Sequence, residues 1–506
     1  MLRVPQHDAL PHKVYICGMS AKKALIIGAG IAGIATAIRL AVKGYAVEVF
    51  EANDYPGGKL AEIKQDGFRF DAGPSLLTMP QYVDELFELA GKDPSRFFSY
   101  QKLDITCKYF YEGGSRLTAF ADEDQFINEV DKLTGEGSAL RRYIKNSGRI
   151  YELTDHIFLQ RSLDRLKTFL TWNALKSLLK FGQIDTFRTM HQANSQFFAD
   201  KRLQQYADRY ATYNGSNPYQ APATLNVIPH LEQHFGAYFP KGGMYRIANC
   251  LVELAESLDV KFHYRSGVDE IILKDKKAIG LRINNEIINA DVIVSNMDVW
   301  FTYQKLLRQY PQGQPKKILN QERSSSALIF YWGIKKQFPE LELHNIFFSS
   351  DYQAEFDHIW QKQTIYDDPT VYINISSKLK PDDAPSGCEN WFVMINVPSN
   401  QGQDWDKFIT DARVNILEKL SGILKTDVAE LIISEAVLDP RSIESQTSSY
   451  QGSIYGTSSN SRYAAFLRHA NRSSKVKNLY FSGGSVHPGG GIPLCLLSAK
   501  IVSEWV

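Results

Sequence analysis

Three glycines, Gly28, Gly30 and Gly33, followed by a carboxylate at Glu51, have the types and spacing that hold a diphosphate and a ribose. In a G-x-G-x-x-G turn the first glycine permits the tight turn, the second lets backbone approach a pyrophosphate, and the third lets helix pack on strand. A helix that starts there presents unpaired N–H groups and partial positive charge to the phosphates. A carboxylate 21 residues after Gly30 accepts hydrogen bonds from ribose hydroxyls and repels a 2′-phosphate. Such a turn alone also serves plain helix–strand packing, so the order of elements around it matters. That order is complete: Ala24 to Ile27 is a short apolar run suited to a buried parallel strand, the residues to about Lys43 are helical in composition, and Ala46 to Phe50 is a second strand ending at Glu51.

Two further stretches carry the same chemistry. Pro56-Gly57-Gly58-Lys59 is followed by Gly67-Phe68-Arg69-Phe70-Asp71-Ala72-Gly73-Pro74. Near the other end, strand Leu479 to Phe481 opens into Ser482-Gly483-Gly484-Ser485-Val486-His487-Pro488-Gly489-Gly490-Gly491-Ile492-Pro493, and a helix follows from about Leu494. The second glycine loop repeats the helix-start logic of the first. Together with Tyr450-Gln451-Gly452-Ser453-Ile454-Tyr455-Gly456, these stretches resemble the flavin-containing amine oxidase and carotenoid desaturase superfamily, and within it the bacterial-type phytoene desaturases, or carotenoid and retinoid oxidoreductases. The resemblance spans Ala24 to the C-terminus. Two departures stand out: Lys59 where the family usually has Arg, which keeps the charge but loses the planar fork, and Val486 where Thr is usual.

The resemblance implies FAD as cofactor and an α/β fold, a Rossmann-like FAD-binding domain with an inserted α+β substrate domain. The expected division is residues 1–20 as a leader or tail, 21–122, 236–300 and 471–506 as the discontinuous FAD-binding domain, and 123–235 with 301–470 as the substrate and membrane-associating domain. Carried onto this chain, the cofactor residues are Gly28, Gly30, Ile31, Ala32 and Gly33 in the first turn, and Glu51 and Ala52 after the second strand. To these it adds Gly57, Gly58, Lys59, Gly73, Pro74 and Ser75, then Val268 and Asn296, and finally Gly483, Gly484, Gly491, Ile492 and Pro493.

It also implies desaturation of a carotenoid, a reaction in which a CH–CH unit loses hydride to the flavin and a neighbouring proton leaves. The protein must hold the polyene and exclude water, so no catalytic side chain is demanded by spacing. Three residues are candidates. His487 either pins its loop by hydrogen bonds or transfers a proton. Family members can place a carboxylate after a Phe-Arg pair; here Phe187-Arg188 is followed by Thr189, and the nearest acid, Asp185, precedes it. Arg188 either contacts a polar substrate group or pairs with Asp185. Overall likeness points to 3,4-desaturation of a 1-hydroxylated acyclic end group of γ-carotene or neurosporene type, with phytoene or diapophytoene desaturation as the alternative within the family. A soluble flavin amine oxidase is the alternative of another class, and a protein that holds FAD only for structure is a third.

The whole chain sets limits. Its 57 Lys+Arg against 56 Asp+Glu leave no global field to recruit nucleic acid. Five scattered cysteines without a C-x-x-C pair argue against a disulfide framework or a zinc site and for a reducing, cytoplasmic setting. No apolar run approaches the roughly 18–20 residues that span a bilayer. Arg161 to Phe181 interleaves Arg161, Arg165, Lys167, Lys176 and Lys180 with leucines, Phe169 and Trp172. It reads either as a buried helical hairpin with a solvated basic edge or as a surface resting on anionic lipid. A lipid-soluble substrate favours the second, and with it peripheral attachment to the membrane. Oxygen or a quinone is the expected electron acceptor.

Overall fold

A computed structural model describes residues 21–154, 185–461 and 468–506. The expected leader and the basic stretch Arg161 to Phe181 lie outside the described residues. Among those described, five parallel strands form the nucleotide-side sheet, in the order Leu479–Phe481, Val292–Ser295, β1 (Lys23–Ile27), β2 (Ala46–Phe50) and Lys261–His263. Every residue of Val292–Ser295 and all of β1 but Lys23 are buried, as a parallel strand covered on both faces requires. One face carries α1 (Ile31–Val42), the helices Arg246–Glu256 and Gln81–Leu89, and the last helix, Ile492–Trp505, around a core that includes Ile34, Ile38, Leu251 and Leu496. The other face is covered by a three-stranded antiparallel sheet, Glu270–Lys274, Lys277–Ile283 and Glu286–Asn289.

The second sheet has seven strands in the order Ile432–Leu438, Ser326–Ile334, Glu389–Val397, Val371–Asn374, His344–Phe347, Ile105–Phe110 and Arg116–Phe120. The hairpin 105–120, expected inside the nucleotide segment that ends at residue 122, forms one edge of this sheet. Tyr109 pairs in parallel with Ile346, and the hairpin's alternating apolar residues need cover on two faces: Tyr109 and Tyr111 meet helical residues such as Tyr206, while Phe110 stacks on Phe347 on the opposite side. The opposite side packs against helix Trp405–Leu424, which starts at an Asp404 cap on Lys407 N and ends with Lys425 in the left-handed region. The near face meets the hairpin Glu62–Gln65/Phe68–Asp71 and the helices 123–154 and 190–214.

One ion network locks the two sheets together. Arg69, buried in that hairpin, donates to Asp71 at 2.6 Å, Glu62 at 3.0 Å and Asp383 at 3.2 Å. Asp71 in turn accepts from the backbone N–H of Met244 and Tyr245, each at 2.9 Å, capping the start of helix Arg246–Glu256. Among the described residues no helix is long and apolar enough to cross a membrane.

Candidate active site

The two glycine loops, read 450 residues apart in the sequence, meet at Asn296. Its backbone N–H donates to Ile27 O at 2.8 Å, at the exit of β1, and its side-chain amide donates to Ser482 O at 2.8 Å. Its Oδ1 lies where a Cβ on Gly30 would be, at 2.5 Å, and its Nδ2 is 2.6 Å from the Cβ position of Gly483. Gly33 is tighter still, since a Cβ there would sit 2.2 Å from Gly28 O. Gly28 turns at φ +92°, and α1 then begins at Gly30 with no side-chain cap, leaving its first N–H groups, including those of Ile31 and Ala32, for a ligand.

Glu51 is buried at the end of β2, where its carboxylate accepts from Ala29 N at 2.7 Å and from Asn53 N at 2.9 Å. This places an acid directly against the glycine turn, with Ala52 exposed beside it. Val268 is buried in the core next to Phe50, two residues after Ser266, whose N–H bonds Glu51 O at 2.7 Å. The second glycine pair is part of the same cradle: Gly57 N donates to Ala29 O at 2.8 Å, and a Cβ on Gly58 would meet Gly30 Cα at 3.4 Å. A Cβ on Gly73 would sit 1.8 Å from Lys59 O, so the 73–75 turn rests on this pair as well. The C-terminal loop closes through Gly483 at φ +125° and Gly491 at φ +99°, after which Ile492 and Pro493 open the last helix. Gly484 packs on Gly490, whose Cβ position is 2.7 Å from the Tyr455 ring, so the 450–456 stretch lies against the loop.

This cradle of backbone, an uncapped helix start and an acid at the tip of β2 fits the diphosphate and ribose of a dinucleotide. Lys59, expected among the cofactor residues, also ties two parts of the cradle together. Its Nζ donates to Ile454 O at 3.0 Å and Ser453 O at 3.3 Å, tying the glycine pair to the 450–456 stretch, and burial pushes its pKa down.

The candidate catalytic residues divide. His487 is buried in the C-terminal loop, its N–H donating to His469 O at 2.9 Å and its carbonyl accepting from Asn471 Nδ2 at 2.8 Å; these backbone bonds pin the loop. Asp185 and Arg188 pair with each other, Nε to Oδ1 at 3.0 Å, and Arg188 also bonds Gln196. No described contact joins this part-exposed pair to the glycine loops. Thr189, which stands where a family carboxylate would, caps the helix Met190–Phe197 in a capping box with Gln192.

Several residues at the site carry no local sequence signal. Arg468 is buried against the C-terminal loop, donating to Tyr455 O at 2.9 Å and to Asn214 Oδ1 at 3.0 Å. Burial and then the nearby Arg323 push its pKa down to about 10. Ser75 bonds the hydroxyl of Tyr372 at 2.7 Å, and that hydroxyl bonds His344 Nδ1 at 2.7 Å, so a polar chain runs from the 73–75 turn into the seven-stranded sheet. Burial pushes His344 down to about 3, which keeps it neutral at physiological pH.

The sequence matches the family described as flavin containing amine oxidoreductase over residues 31–506. It is 49% identical over 486 residues, 96% of this chain and 99% of the relative, to a 1-hydroxycarotenoid 3,4-desaturase of Flavobacterium sp. (strain P99-3). It is 35% identical over 491 residues, 96% of this chain and 97% of the relative, to a 4,4'-diapolycopene oxygenase of Methylomonas sp.. Among solved structures, an oxidoreductase from Methanosarcina mazei superposes with a TM-score of 0.63 at 15% identity, over 95% of this chain and all of that one. Putrescine oxidase with bound putrescine superposes with a TM-score of 0.60 at 13% identity, over 96% of this chain and 99% of that one, which shows a shared fold.

Proposed function

The chain belongs to the flavin-containing amine oxidoreductase family, and from that premise we propose that it is a carotenoid desaturase that introduces the 3,4 double bond into an acyclic, 1-hydroxylated carotenoid end. The chain is an FAD-dependent oxidoreductase. The observation that carries the finer reading is the 49% identity to a 1-hydroxycarotenoid 3,4-desaturase, which runs through both the glycine cradle and the seven-stranded sheet.

Bound FAD supplies the acceptor for the hydride that leaves the substrate. The chain's own residues do the rest. The turns at Gly28–Gly33 and Gly57–Gly58 and the start of α1 hold the diphosphate, Glu51 the ribose, and the Gly483–Gly491 loop the opposite side of the cofactor. Lys59 and Arg468 fix the 450–456 stretch against that loop. Tyr331, Phe392 and Tyr372, on the near face of the seven-stranded sheet, pack with the hairpin Glu62–Asp71 and hold it beside the cradle. The substrate is lipid-soluble, so the enzyme meets it at a membrane surface, and oxygen or a quinone reoxidises the cofactor.

The test is an anaerobic single turnover of flavin-loaded enzyme with carotenoids in liposomes, beside a panel of soluble amines. Bleaching of the flavin with a product two hydrogens lighter, from the hydroxylated substrate, is the expected result. In a parallel aerobic turnover, a product that gains oxygen would favour an oxygenase like the 35% identical relative. Equal turnover of phytoene would make the enzyme a general desaturase, and bleaching by amines alone would refute the carotenoid reading.

A further inference from the structure

The near face of the seven-stranded sheet holds buried polar atoms that lack partners. Tyr109 OH, His344 Nε2 and Arg209 Nε are all buried, and none has a hydrogen-bond partner among the described residues. A native interior satisfies nearly all such atoms, because each one left unpaired costs about 1–3 kcal/mol. Three on one face point to an occupant.

Their placement follows from register. Ile346 lies opposite Tyr109 in the parallel pair, so His344, two residues earlier, shares its face and is its diagonal neighbour. Such neighbours have Cβ atoms roughly 7–8 Å apart, and the buried Cys107, opposite His344 in the same register, shares the face with them. The Arg209 guanidinium lies 5.0 Å over the Tyr109 ring, held by Glu232 at 3.1 Å. The surroundings are aromatic: Tyr206 stands edge-on to Tyr109 at 5.5 Å and Phe348 stacks on it at 5.9 Å.

The tautomer of His344 is also set. Asn374 Nδ2, which can only donate, lies 3.2 Å from Nδ1, and Tyr372 OH lies 2.7 Å from the same atom. Nδ1 therefore accepts, and the neutral ring carries its proton on Nε2. That unmet donor lies one imidazole ring beyond the Ser75–Tyr372 link to the flavin-side turn.

We propose that Tyr109 and His344 form the subsite for the substrate's C1 hydroxyl, His344 Nε2–H donating to the hydroxyl oxygen and Tyr109 making the second bond to it. The inference rests on the proposed 3,4-desaturation and names the group that the enzyme would read. Its location is chemically consistent. In a 1-hydroxylated end the oxygen is four bonds from C4, a span of about 5 Å, so a hydroxyl subsite has to lie within reach of the cofactor, and the Ser75–Tyr372–His344 chain starts at the 73–75 turn assigned to it. A tertiary alcohol brings one donor and two acceptor sites to these atoms in aromatic surroundings, whereas an unhydroxylated end leaves the buried donor unmet. Sites built this way reject the analogue lacking the hydroxyl far more strongly than apolar pockets reject a size change.

The experiment compares flavin-loaded wild type, Tyr109→Phe and His344→Gln on a 1-hydroxylated acyclic carotenoid and on the same carotenoid without the hydroxyl, both in liposomes. It reads kcat/KM and, separately, equilibrium binding by tryptophan quenching. Flavin absorbance and thermal unfolding report whether each variant keeps its fold; Tyr109→Phe removes a hydroxyl that bonds no described residue, so it preserves the packing. The expected result is a wild-type preference for the hydroxylated compound that falls at least ten-fold in both variants, through loss on that compound alone. A wild-type preference that survives both substitutions overturns the subsite while leaving the desaturase reading intact. If neither carotenoid is converted, the desaturase reading fails, and the binding arm still decides: equal affinity of wild type for the two compounds overturns the subsite too.

Discussion

Replacing Gly33 by alanine tests the cradle where it has least room. The added Cβ would stand 2.2 Å from Gly28 O and 3.0 Å from Asn296 Oδ1, and the first contact is backbone, which cannot rotate away. Reaching an ordinary carbon–oxygen separation requires α1 to move away from β1 by about 1 Å, an overpacking strain of about 1–3 kcal/mol. The same movement carries the N–H groups of Ile31 and Ala32 off the diphosphate. Hydrogen bonds to charged groups are worth about 1.5–3 kcal/mol each, so losing the equivalent of one to two weakens FAD binding about 100-fold. At an FAD concentration near 100 times the wild-type Kd, bound cofactor stabilises wild type by about 2.7 kcal/mol and the variant by about 0.4 kcal/mol. The assay is the midpoint of thermal unfolding with and without added FAD, together with the flavin-to-protein absorbance ratio after purification. Gly422→Ala is the control: that glycine sits in helix Trp405–Leu424 with nothing within 4 Å of its Cβ position, so alanine stabilises the helix by about 0.8–1.0 kcal/mol and leaves FAD retention unchanged. If Gly33→Ala retains FAD as well as Gly422→Ala does, the helix start is not the diphosphate site.

Three other outcomes can be measured. Asp71→Ala strands two backbone N–H donors at Met244 and Tyr245 and removes the shortest partner of Arg69, so it should destabilise the protein by about 3–5 kcal/mol in denaturant titration. Lys59→Met removes the tie to Ser453 and Ile454 while keeping the apolar stem; it should increase flavin loss on gel filtration without moving the unfolding midpoint of flavin-free protein by more than a few degrees. Burial, opposed by the bonds from Thr370, raises Glu355 to about 7, so its protonated form stabilises the fold below the unfolded value of 4.5 and that contribution is lost as pH rises to 7. The stability difference between wild type and Glu355→Gln should therefore shift by about 2–3 kcal/mol, against wild type, between pH 5 and pH 8.

The nucleotide half of the fold was readable because its signals are local. β1, the glycine turn and β2 stand within 30 residues and appear within a residue or two of the expected bounds, and strand Leu479–Phe481 appears as expected. The hairpin Glu62–Asp71 was equally available in Asp66-Gly67, whose positive φ angles suit a two-residue hairpin turn, but the motif reading takes that stretch only as a family signature. What stayed hidden is long-range polar pairing. Arg69 and Asp383 are 314 residues apart and Ser75 and Tyr372 are 297 apart, and an isolated polar residue carries no period that names its partner. His344 opens a four-residue strand, His-Asn-Ile-Phe, too short for its alternation to mark out one residue. The hairpin 105–120 carries a local turn signal in Glu112-Gly113-Gly114 but none for its place in the second sheet, because strand alternation gives the faces of a strand and not its neighbour.

The meeting of both glycine loops at Asn296 also sets an order of events in the making of the protein. The amide that lies beside Gly30 and Gly33 is held by Ser482, which is translated 186 residues after it, and the helix that begins at Ile492 is translated later still. While the nascent chain is still emerging, β1, α1 and β2 can pair, but the wall formed by residues 482–491 does not yet exist. Closure of the cradle by both loops therefore waits until residues 482–491 are made, and a chain that stops before residue 479 holds the first turn without the wall that completes it.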